Sequence, residues 1–407
     1  MAKKFLVVEK RENLPNKLLN LFDIRLEKEN IDISRSLWRF SYEDVKAVFD
    51  IPSFNKSLVD GFAVFSKSVR GSSAANPVSL KLCKMLRIGE NLGEKLGRNE
   101  TVFVPTGGIV PDGADSVIMV EYTEKRNGEI FFMKDSFPGE NIAFKGDDFK
   151  TGEVILHRGE KITPNVISAL RAFGIESVSV FEKIKIGIFS TGDELVKSGE
   201  LPYGKIYDIN EYSIFAEAES ENFLPKMYGI VKDDRQAIKK MLERALSEND
   251  VVIMSGGTSK GTFDFTVSVI NEIGKPGVLI HGLHLSPGKP TVFGIAENKL
   301  IVGLSGNPLA SFLVFREVII PLVYAKAGLK QKRIKIIATL SENLPSRKGR
   351  EEFVPGKLFV KNGEQFVKPV FSESAFVSPL LKSDGVINVP LMSEGFLKGQ
   401  KVAIELW

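Results

Sequence analysis

The residues best suited to chemistry stand in four short loops that are rich in glycine and hydroxyl side chains. Three of them follow apolar segments and read "FSTGDEL" (189–195), "MSGGTSKGTFDF" (254–265) and "GLSGNPLASF" (303–312). The fourth, "SPGKP" (286–290), holds Lys289 between two prolines. Glycine lets the backbone approach a ligand closely, and backbone N–H groups and hydroxyls bind anions. The four loops together predict a pocket for a phosphorylated ligand.

The same loops carry carboxylates, at Asp193, Glu194 and Asp264. A carboxylate beside a phosphate site repels the ligand unless a cation lies between them. Mg²⁺, held by carboxylates and phosphate oxygens, is the usual partner in such sites. The loops therefore predict a magnesium-dependent site.

Each of these features also has an ordinary structural explanation. Glycine-rich turns follow strands in any α/β domain, and Asp193 and Asp264 stand where helix N-caps are frequent. Lys289 could be a solvated surface residue, and His281 and His284 are more typical of packing or surface positions than of ligand positions. The recurrence of one loop type four times in one region favours a binding site.

A second group of polar residues lies earlier in the chain. "SLVDGFAVF" (57–65) places Asp60 before a glycine, "VPTGGIVPDGADSVIMVEY" (104–122) contains Thr106, and "KGDDF" (145–149) carries paired acids. By residue type alone, Asp60 is typical of a turn.

The elements that must position these residues divide the chain into four parts. Residues 1–50, which look mostly helical, and 148–182 predict a discontinuous N-terminal helical or mixed domain, and 51–147 predict a β-rich inserted module. Strands alternate with helices over 183–328, which predicts an α/β domain with a mostly parallel sheet. Residues 331–407 predict a small C-terminal β-barrel-like domain. Ligands of open parallel sheets bind beyond the carboxyl ends of the strands, where the loops fall.

Two helices have clear end signals. "SYEDVKAVFDIP" offers an N-cap at Ser41 and a stop before Pro52. "TPNVISALRAFG" predicts a helix that begins near Pro164 and ends at Gly174.

Composition excludes several classes of protein. A net charge of +4 over 407 residues gives no indication of a nucleic-acid partner. The single cysteine, Cys83, excludes an intrachain disulfide and fits a reducing cytosol. One cysteine and only three histidines also exclude a Cys/His-rich zinc site. The sequence contains no uninterrupted apolar run of about 18 residues, so a membrane span is not expected. The N-terminus is not typical of a signal peptide.

Seven motifs, in order, resemble the molybdopterin molybdenumtransferase family of the MoeA type, which is related to the C-terminal domain of gephyrin. They are "VDGFAV", "PTGGIVPDGADSVIMVE", "STGDEL", "IYDINEY", "SGGTSKGTFDF", "PGKP" and "GLSGNPLASF". The resemblance covers the chain from about residue 10 to the C-terminus. It implies an elongated, four-part subunit whose central three-layer α/β domain has the molybdopterin-binding fold. It also implies a cytoplasmic homodimer with a cleft between the α/β domain of one subunit and the β module of the other.

The reaction that the resemblance implies inserts molybdate into adenylylated molybdopterin and releases AMP, with Mg²⁺ or a similar cation. An adenylyltransferase acting one step earlier would supply the substrate and is an expected partner protein. Neither a nucleic acid nor a membrane is an expected partner.

The resemblance also implies roles for residues at matching positions. Catalytic roles fall to Asp60, Thr106, Asp148, Glu194 and Asp264. Metal binding falls to Glu194, Asp264 and Asp234. Asp208, Asn210 and Ser374 are further candidates for contacts. Substrate binding falls to a larger set: Ser190, Thr191, Gly192, Asp193, Ser255, Gly256, Gly257, Ser259, Lys260, Pro287, Gly288, Lys289, Pro290, Ser305, Gly306, Asn307, Pro308 and Arg350.

Several residues depart from the family pattern. Ser286 stands where many relatives have lysine, and we hypothesise that Lys260 compensates for it. Ser305 stands where proline is usual, and Ser374 lies in "SESAF", which departs from a glycine-rich version. These departures leave open a divergent paralogue that handles tungstate.

Two more functions are compatible with the same fold. One is a non-catalytic molybdopterin-binding or scaffold protein, which retention of the acids disfavours. The second is an adenylyltransferase acting on free molybdopterin, which the added β domains disfavour.

Overall fold

A computed structural model describes residues 8–256 and 262–407, without the side chains of 262–264. The chain forms two compact units. One comprises residues 44–157 and 164–176, and the other comprises the remainder of the chain. Each unit is considered by itself below.

The described helices are α1 Leu14–Leu18, α2 Pro164–Ala172, α3 Asn210–Ser220, α4 Arg235–Glu248, α5 Thr262–Ile273, α6 Pro308–Val314, α7 Ile320–Ala327 and α8 Ser378–Lys382. The three longest described helices, α3 to α5, all belong to the α/β domain. A π-helical turn over Phe315–Ile319 joins α6 to α7. Short 3₁₀ turns occupy Arg11–Asn13, Ile33–Arg35, Ser66–Val69 and Val120–Tyr122.

The described strands of the first half are β1 Lys28–Asp32, β2 Val45–Lys46, β3 Lys56–Ser57, β4 Gly61–Val64, β5 Ser73–Met85, β6 Glu100–Val104, β7 Ser116–Met119, β8 Thr123–Arg126, β9 Glu129–Lys134, β10 Ile142–Ala143, β11 Val154–Leu156 and β12 Ser177–Phe181. Those of the second half are β13 Lys185–Thr191, β14 Leu195–Val196, β15 Ile206–Tyr207, β16 Leu224–Val231, β17 Val251–Gly256, β18 Gly277–His281, β19 Leu285–Ser286, β20 Val292–Ala296, β21 Lys299–Leu304, β22 Lys335–Leu340, β23 Leu344–Pro345, β24 Glu351–Lys361, β25 Glu364–Pro369, β26 Gly385–Val389, β27 Gly395–Phe396 and β28 Lys401–Leu406.

The smaller unit is built on a six-stranded sheet with the order β7-β4-β6-β5-β9-β8. Strand β4 is buried along its whole length because it lies between β6 and β7 and has core clusters on both faces. Its first residue, Gly61, has no room for a side chain, since a Cβ there would lie 2.3 Å from the carbonyl oxygen of Ile118. The chain therefore enters this strand in one fixed position, and Asp60 precedes it directly.

The α/β domain of the larger unit has a six-stranded sheet with the order β16-β13-β17-β21-β20-β18. Strands β16, β13, β17 and β21 are parallel neighbours, whereas β20 and β18 are added antiparallel. Successive residues of β13 point to opposite faces, with Ile188 in the core cluster that includes α3 and α6 and Phe189 in the cluster that includes α4 and α5. These three layers confirm the predicted fold class.

Helix α4 shows how the sequence specifies this packing. Asp234 caps its first turn by accepting a hydrogen bond from the backbone N–H of Ala237 at 2.8 Å. Ile238, Leu242 and Ala245 follow at helical spacing and are buried against the sheet.

The C-terminal region closes into a five-stranded barrel with the order β24-β25-β22-β28-β26, because β26 also pairs with β24. Its interior is filled by aliphatic side chains such as Val367, Ile387 and Ile404, all fully buried. Strand β19, which belongs to the "SPGKP" loop, pairs in parallel with the start of β24. The barrel and this loop are therefore joined by backbone hydrogen bonds.

The prediction that residues 1–50 are mostly helical is wrong for the described part, residues 8–50. The only helical elements in this described part are α1 and two short 3₁₀ turns, β1 and β2 also form there, and the helix predicted after Ser41 does not form. The Ser41 N–H instead donates to the carbonyl of Glu160, and the Ala47 N–H donates to that of Glu153. Pairing with distant segments therefore replaces the local helix signal.

In the part of the chain that the structure describes, the helical stretch Pro308–Ala327 is long and apolar enough to cross a membrane by composition alone, but 78% of its most apolar 18 residues are buried inside the protein. Burial in the core therefore accounts for its apolar character.

We predict that Leu242→Ala lowers the free energy of unfolding by about 2–5 kcal/mol, because it removes a fully buried side chain of α4. Urea titration followed by circular dichroism measures this change. Glu243→Ala, on the exposed face of the same helix, is the control and shifts the free energy by less than about 0.5 kcal/mol. Equal effects of the two substitutions would contradict the assigned packing face.

Candidate functional site

The carboxyl ends of β13, β17 and β21 lie at one edge of the sheet, because these strands are parallel neighbours. Gly256 ends β17 with φ +99°, and a Cβ there would lie 2.0 Å from the carbonyl oxygen of Thr191. A Cβ on Gly306 would lie 3.6 Å from the Cα of Gly256. Gly256 and Gly306 thus allow the ends of β13 and β17 and the residue pair after β21 to pack directly on one another.

A buried hydrogen-bond network lies beneath these loops. The Ser190 hydroxyl donates to Oδ1 of Asp208 at 2.9 Å and lies 3.0 Å from the Ser255 hydroxyl. Asn210 donates from Nδ2 to the carbonyl oxygen of Gly306 at 2.9 Å. The structure therefore places the predicted residues Ser190, Ser255 and Gly306 together and connects them through Asp208 and Asn210.

Carboxylates cluster at the first loop. Oδ1 of Asp193 accepts the Asp233 N–H at 3.3 Å. Burial, and then the neighbouring charges of Glu194 and Asp193, raise the pKa of the Asp233 carboxyl above its usual value. Such mutual repulsion is relieved when a cation binds between the groups.

The metal residues predicted from sequence have different surroundings. Asp234 is occupied as the N-cap of α4, so the structure gives it a structural role. Asp264 lies in α5, but its side chain is outside the described part of the chain. Among the described side chains, no group of three or more His, Cys, Asp or Glu residues is arranged to hold a metal ion. The metal assignments therefore stay predictions.

A cavity of about 780 Å³ lies between the α/β domain and the barrel within the larger unit. The "SPGKP" loop, including Lys289, lines it together with Ser305 and Asn307, and the barrel contributes residues 344–355 and 370–374 in part. The cations at its wall outnumber the carboxylates: they are Lys289, Arg347, Lys348 and Arg350, against Glu352 and Glu373. By its volume and its excess of cations, the cavity is suited to an anion much larger than a water molecule.

Ser374 and Arg350 enter this cavity from the barrel. The Ser374 hydroxyl accepts a hydrogen bond from Nδ2 of Asn307 at 2.8 Å, and its carbonyl accepts the Leu309 N–H at 3.2 Å. Arg350 forms an ion pair with Glu352, while its Nε is buried without a hydrogen-bond partner among the described residues. The departure of "SESAF" from the family pattern therefore does not remove Ser374 from the site.

A buried ionic network fixes the barrel to the α/β domain. Arg333, in the segment before β22, pairs with Glu317 at 3.0 Å and with Glu405 of β28 at 2.5 Å. Arg316 pairs with Glu217 of α3 and donates to the carbonyl of Leu406. Side chains from the π-helical turn thus bind both helix α3 and the barrel side of the junction.

In the smaller unit, the structure brings Asp60 and Thr106 together. Oδ1 of Asp60 accepts the Thr106 N–H at 2.6 Å and the Thr106 hydroxyl at 2.9 Å. These bonds, the backbone one first, hold the pKa of Asp60 below its usual range. Asp148 lies in an exposed turn, with its N–H donating to the carbonyl of Ile51 at 3.0 Å. Asp60 and Asp148 are both exposed to solvent.

Three predicted residues, Gly257, Ser259 and Lys260, lie outside the described residues, so the hypothesis that Lys260 compensates for Ser286 stays open. Sequence reasoning missed Arg347, Lys348 and Asp233. The run "SRKGR" before an alternating strand was a signal for the two basic residues. Asp233 sits in "VKDD", where only its neighbour was singled out.

Comparisons with known proteins give consistent matches along the chain. The family models that match are the MoeA N-terminal region (domain I and II) at residues 7–174, a probable molybdopterin binding domain at 187–325 and the MoeA C-terminal region (domain IV) at 338–407.

Relatives cover nearly the full length. A protein of Methanocaldococcus jannaschii assigned to molybdopterin biosynthesis is 35% identical over 96% of this chain and 95% of its own. The molybdopterin molybdenumtransferase of Staphylococcus aureus is 31% identical over 98% and 97%. Two solved structures of molybdopterin biosynthesis MoeA proteins from Pyrococcus horikoshii have TM-scores of 0.81 and 0.85, at 33% and 29% identity, and each covers 98% of this chain and at least 99% of its own. The chain belongs to the MoeA family of molybdopterin molybdenumtransferases, enzymes of molybdenum cofactor biosynthesis.

We predict that Thr106→Ala raises the pKa of Asp60 towards its usual value, because one of two bonds that stabilise the carboxylate is lost. The rise is partial, since the backbone N–H remains. Because the depressed pKa favours the folded state only above the unfolded pKa, this contribution is lost as pH falls through the folded pKa, and Thr106→Ala moves that loss to higher pH. Carboxyl-carbon NMR over a pH series measures the shift.

Thr151→Ala is the matched control, because Thr151 donates to Asp50 with the same pair of bonds, at 2.8 and 2.7 Å. It leaves the Asp60 titration unchanged. An unchanged Asp60 pKa in Thr106→Ala would contradict the assigned bond.

Proposed function

We propose that this protein inserts molybdate into adenylylated molybdopterin with release of AMP, using Mg²⁺ and acting as a cytoplasmic homodimer. The observation that carries the proposal is the cationic cavity where Lys289 from the α/β domain faces Arg350 and Ser374 from the barrel. A tetrahedral oxyanion needs positive charge and hydroxyl or N–H donors on several sides, and this cavity offers both.

The described residues suggest how the oxyanion is held. Lys289 and the guanidinium of Arg350 supply charge, and the Ser374 hydroxyl, already held by Asn307, supplies a hydrogen-bonding group. The buried and unpaired Nε of Arg350 is a donor in the wall of the same cavity. The glycine loops beyond β13, β17 and β21 would bind the pterin and phosphate groups. Holding both substrates at neighbouring positions contributes to the rate by proximity.

Glu194, with Asp193 and Asp233 beside it and Asp264 on α5, would hold Mg²⁺. Close carboxylates with a raised pKa at Asp233 fit a hard divalent cation. Mg²⁺ usually keeps waters and phosphate oxygens in its coordination sphere, so a few carboxylates would be enough to hold it. When bound, it would neutralise charge that develops on the phosphoryl oxygens.

The homodimer proposal accounts for acids in the smaller unit. Asp60 is exposed and ionised, with Thr106 orienting one oxygen. We propose that it reaches the cleft of the partner subunit, and that Asp148 does the same. The adenylyltransferase that makes the substrate is the proposed partner protein.

We predict that Arg350→Ala and Lys289→Ala each weaken molybdate binding by roughly tenfold to a hundredfold, the value of one hydrogen bond to a charged group. Calorimetric titration with molybdate alone measures the affinity. Lys361→Ala, an exposed cation of the barrel outside the cavity, is the control and leaves the affinity unchanged. Equal affinity in all three variants and the wild type would remove the cavity as the oxyanion site.

The activity itself is tested by molybdate-dependent AMP release from adenylylated molybdopterin by the purified protein. We expect release that requires Mg²⁺ and is lost in Asp60→Ala and Asp264→Ala with the fold intact. A parallel series with tungstate separates the two metal oxyanions. Failure of the wild-type protein to release AMP with either anion would overturn the proposal.

A further inference from the structure

The segment around Asp208 runs beneath the ligand-binding loops. Strand β14, just after the first loop, pairs in parallel with β15, and the Asp208 N–H donates to the carbonyl of Val196 at 3.0 Å. This pairing places the start of α3 under the carboxyl ends of the parallel strands. Asp208, Asn210 and Glu211 are there 8%, 6% and 2% exposed. We call these three residues the polar clamp.

The polar clamp bonds directly to β13, to β16 and to the segment after β21, and it reaches β17 through Ser190. Asp208 binds Ser190 of β13, whose hydroxyl in turn lies 3.0 Å from that of Ser255 of β17. Asn210 donates to the carbonyl of Gly306, directly after β21. Oε1 of Glu211 accepts the N–H of Gly229 in β16 at 2.5 Å. One short segment therefore fixes the relative positions of four strand ends.

This degree of polarity is costly for a purely structural role. Helix α3 faces an aliphatic core, and apolar side chains would pack there without desolvating a charge. Oδ2 of Asp208, Oδ1 of Asn210 and Oγ1 of Thr191 are also buried with no hydrogen-bond partner among the described residues. Buried groups left unsatisfied are rare and occur where a site demands them.

We propose that Asp208, Asn210 and Glu211 are positioning residues that set the geometry of the pterin and phosphate loops. They act through Ser190, Ser255 and Gly306 rather than by touching the reacting atoms. This inference rests on the proposed function, because it assigns the loops a substrate whose binding depends on their exact spacing.

The test compares substitutions at the two ends of the same strands. Asp208→Ala removes the acceptor for Ser190, and Asn210→Asp replaces the donor to Gly306 with a repelling oxygen. Each raises KM for adenylylated molybdopterin by about tenfold or more, as expected for loss of a hydrogen bond involving a charged or buried group. Asp208→Asn keeps a carbonyl acceptor for Ser190 and restores KM to within about threefold of wild type, since a neutral acceptor is weaker but present.

Asp250→Ala is the matched control. Its carboxylate accepts the Lys185 N–H at 2.8 Å, at the opposite end of β13, so its loss removes a comparable bond far from the loops. It lowers the melting temperature but leaves KM unchanged. Should Asp208→Ala and Asn210→Asp behave like Asp250→Ala, with altered stability and an unchanged KM, the clamp has only a structural role and the proposal is wrong.

Hydrogen exchange separates this proposal from the proposed function. Backbone amides of residues 192–195 and 305–307 exchange faster in Asp208→Ala and Asn210→Asp, and at wild-type rates in Asp250→Ala. Unchanged exchange in both clamp variants overturns the clamp even if the enzyme is active. Absence of AMP release by the wild-type protein, with faster exchange in the variants, overturns the proposed function alone. If Asp208→Ala does not fold, Ser190→Ala removes the same bond and takes its place.

Discussion

The proposed anion site depends on how the barrel is held against the α/β domain, because its cationic groups come from both. Lys289 belongs to the "SPGKP" loop of the α/β domain and Arg350 to the barrel. An anion between them is bound well only if the distance between these two side chains is fixed. Strand pairing of β19 with β24 and the buried pairs of Arg333 fix that separation. Burial raises the pKa of Glu317, because removing its carboxylate from water at this junction costs free energy. Buried ion pairs add little net stability, so their value here lies in orientation.

Much of the fold could be predicted from the sequence, because local patterns and packing agree in the α/β domain. Helix α4 carries its own cap and an apolar stripe, and strand β17 begins with four apolar residues in a row. The N-terminal residues differ, since their conformation is set by partners such as Glu160, more than a hundred residues away. The closure of the barrel and the antiparallel strands β18 and β20 depend on similarly distant pairings. The four predicted domain boundaries stay a prediction.

The site could be predicted in part, and the limit is physical. Glycines and hydroxyls at strand ends identify the loops, because parallel strands bring their ends to one edge. The pairing of Asp60 with Thr106 and the approach of Ser374 to Asn307 depend on tertiary contacts between residues 46 and 67 positions apart. Two cations of the cavity, Arg347 and Lys348, were missed because they reach it from a loop of the barrel.

Locating the oxyanion directly is the measurement closest to the central claim. Crystals of the protein soaked in molybdate or tungstate give an anomalous signal at the position of the metal. We predict one anion between the "SPGKP" loop and the barrel, within hydrogen-bonding distance of Lys289 and Arg350. An anion bound instead at a place that neither residue reaches would contradict the claim that these two parts of the chain form the oxyanion site together.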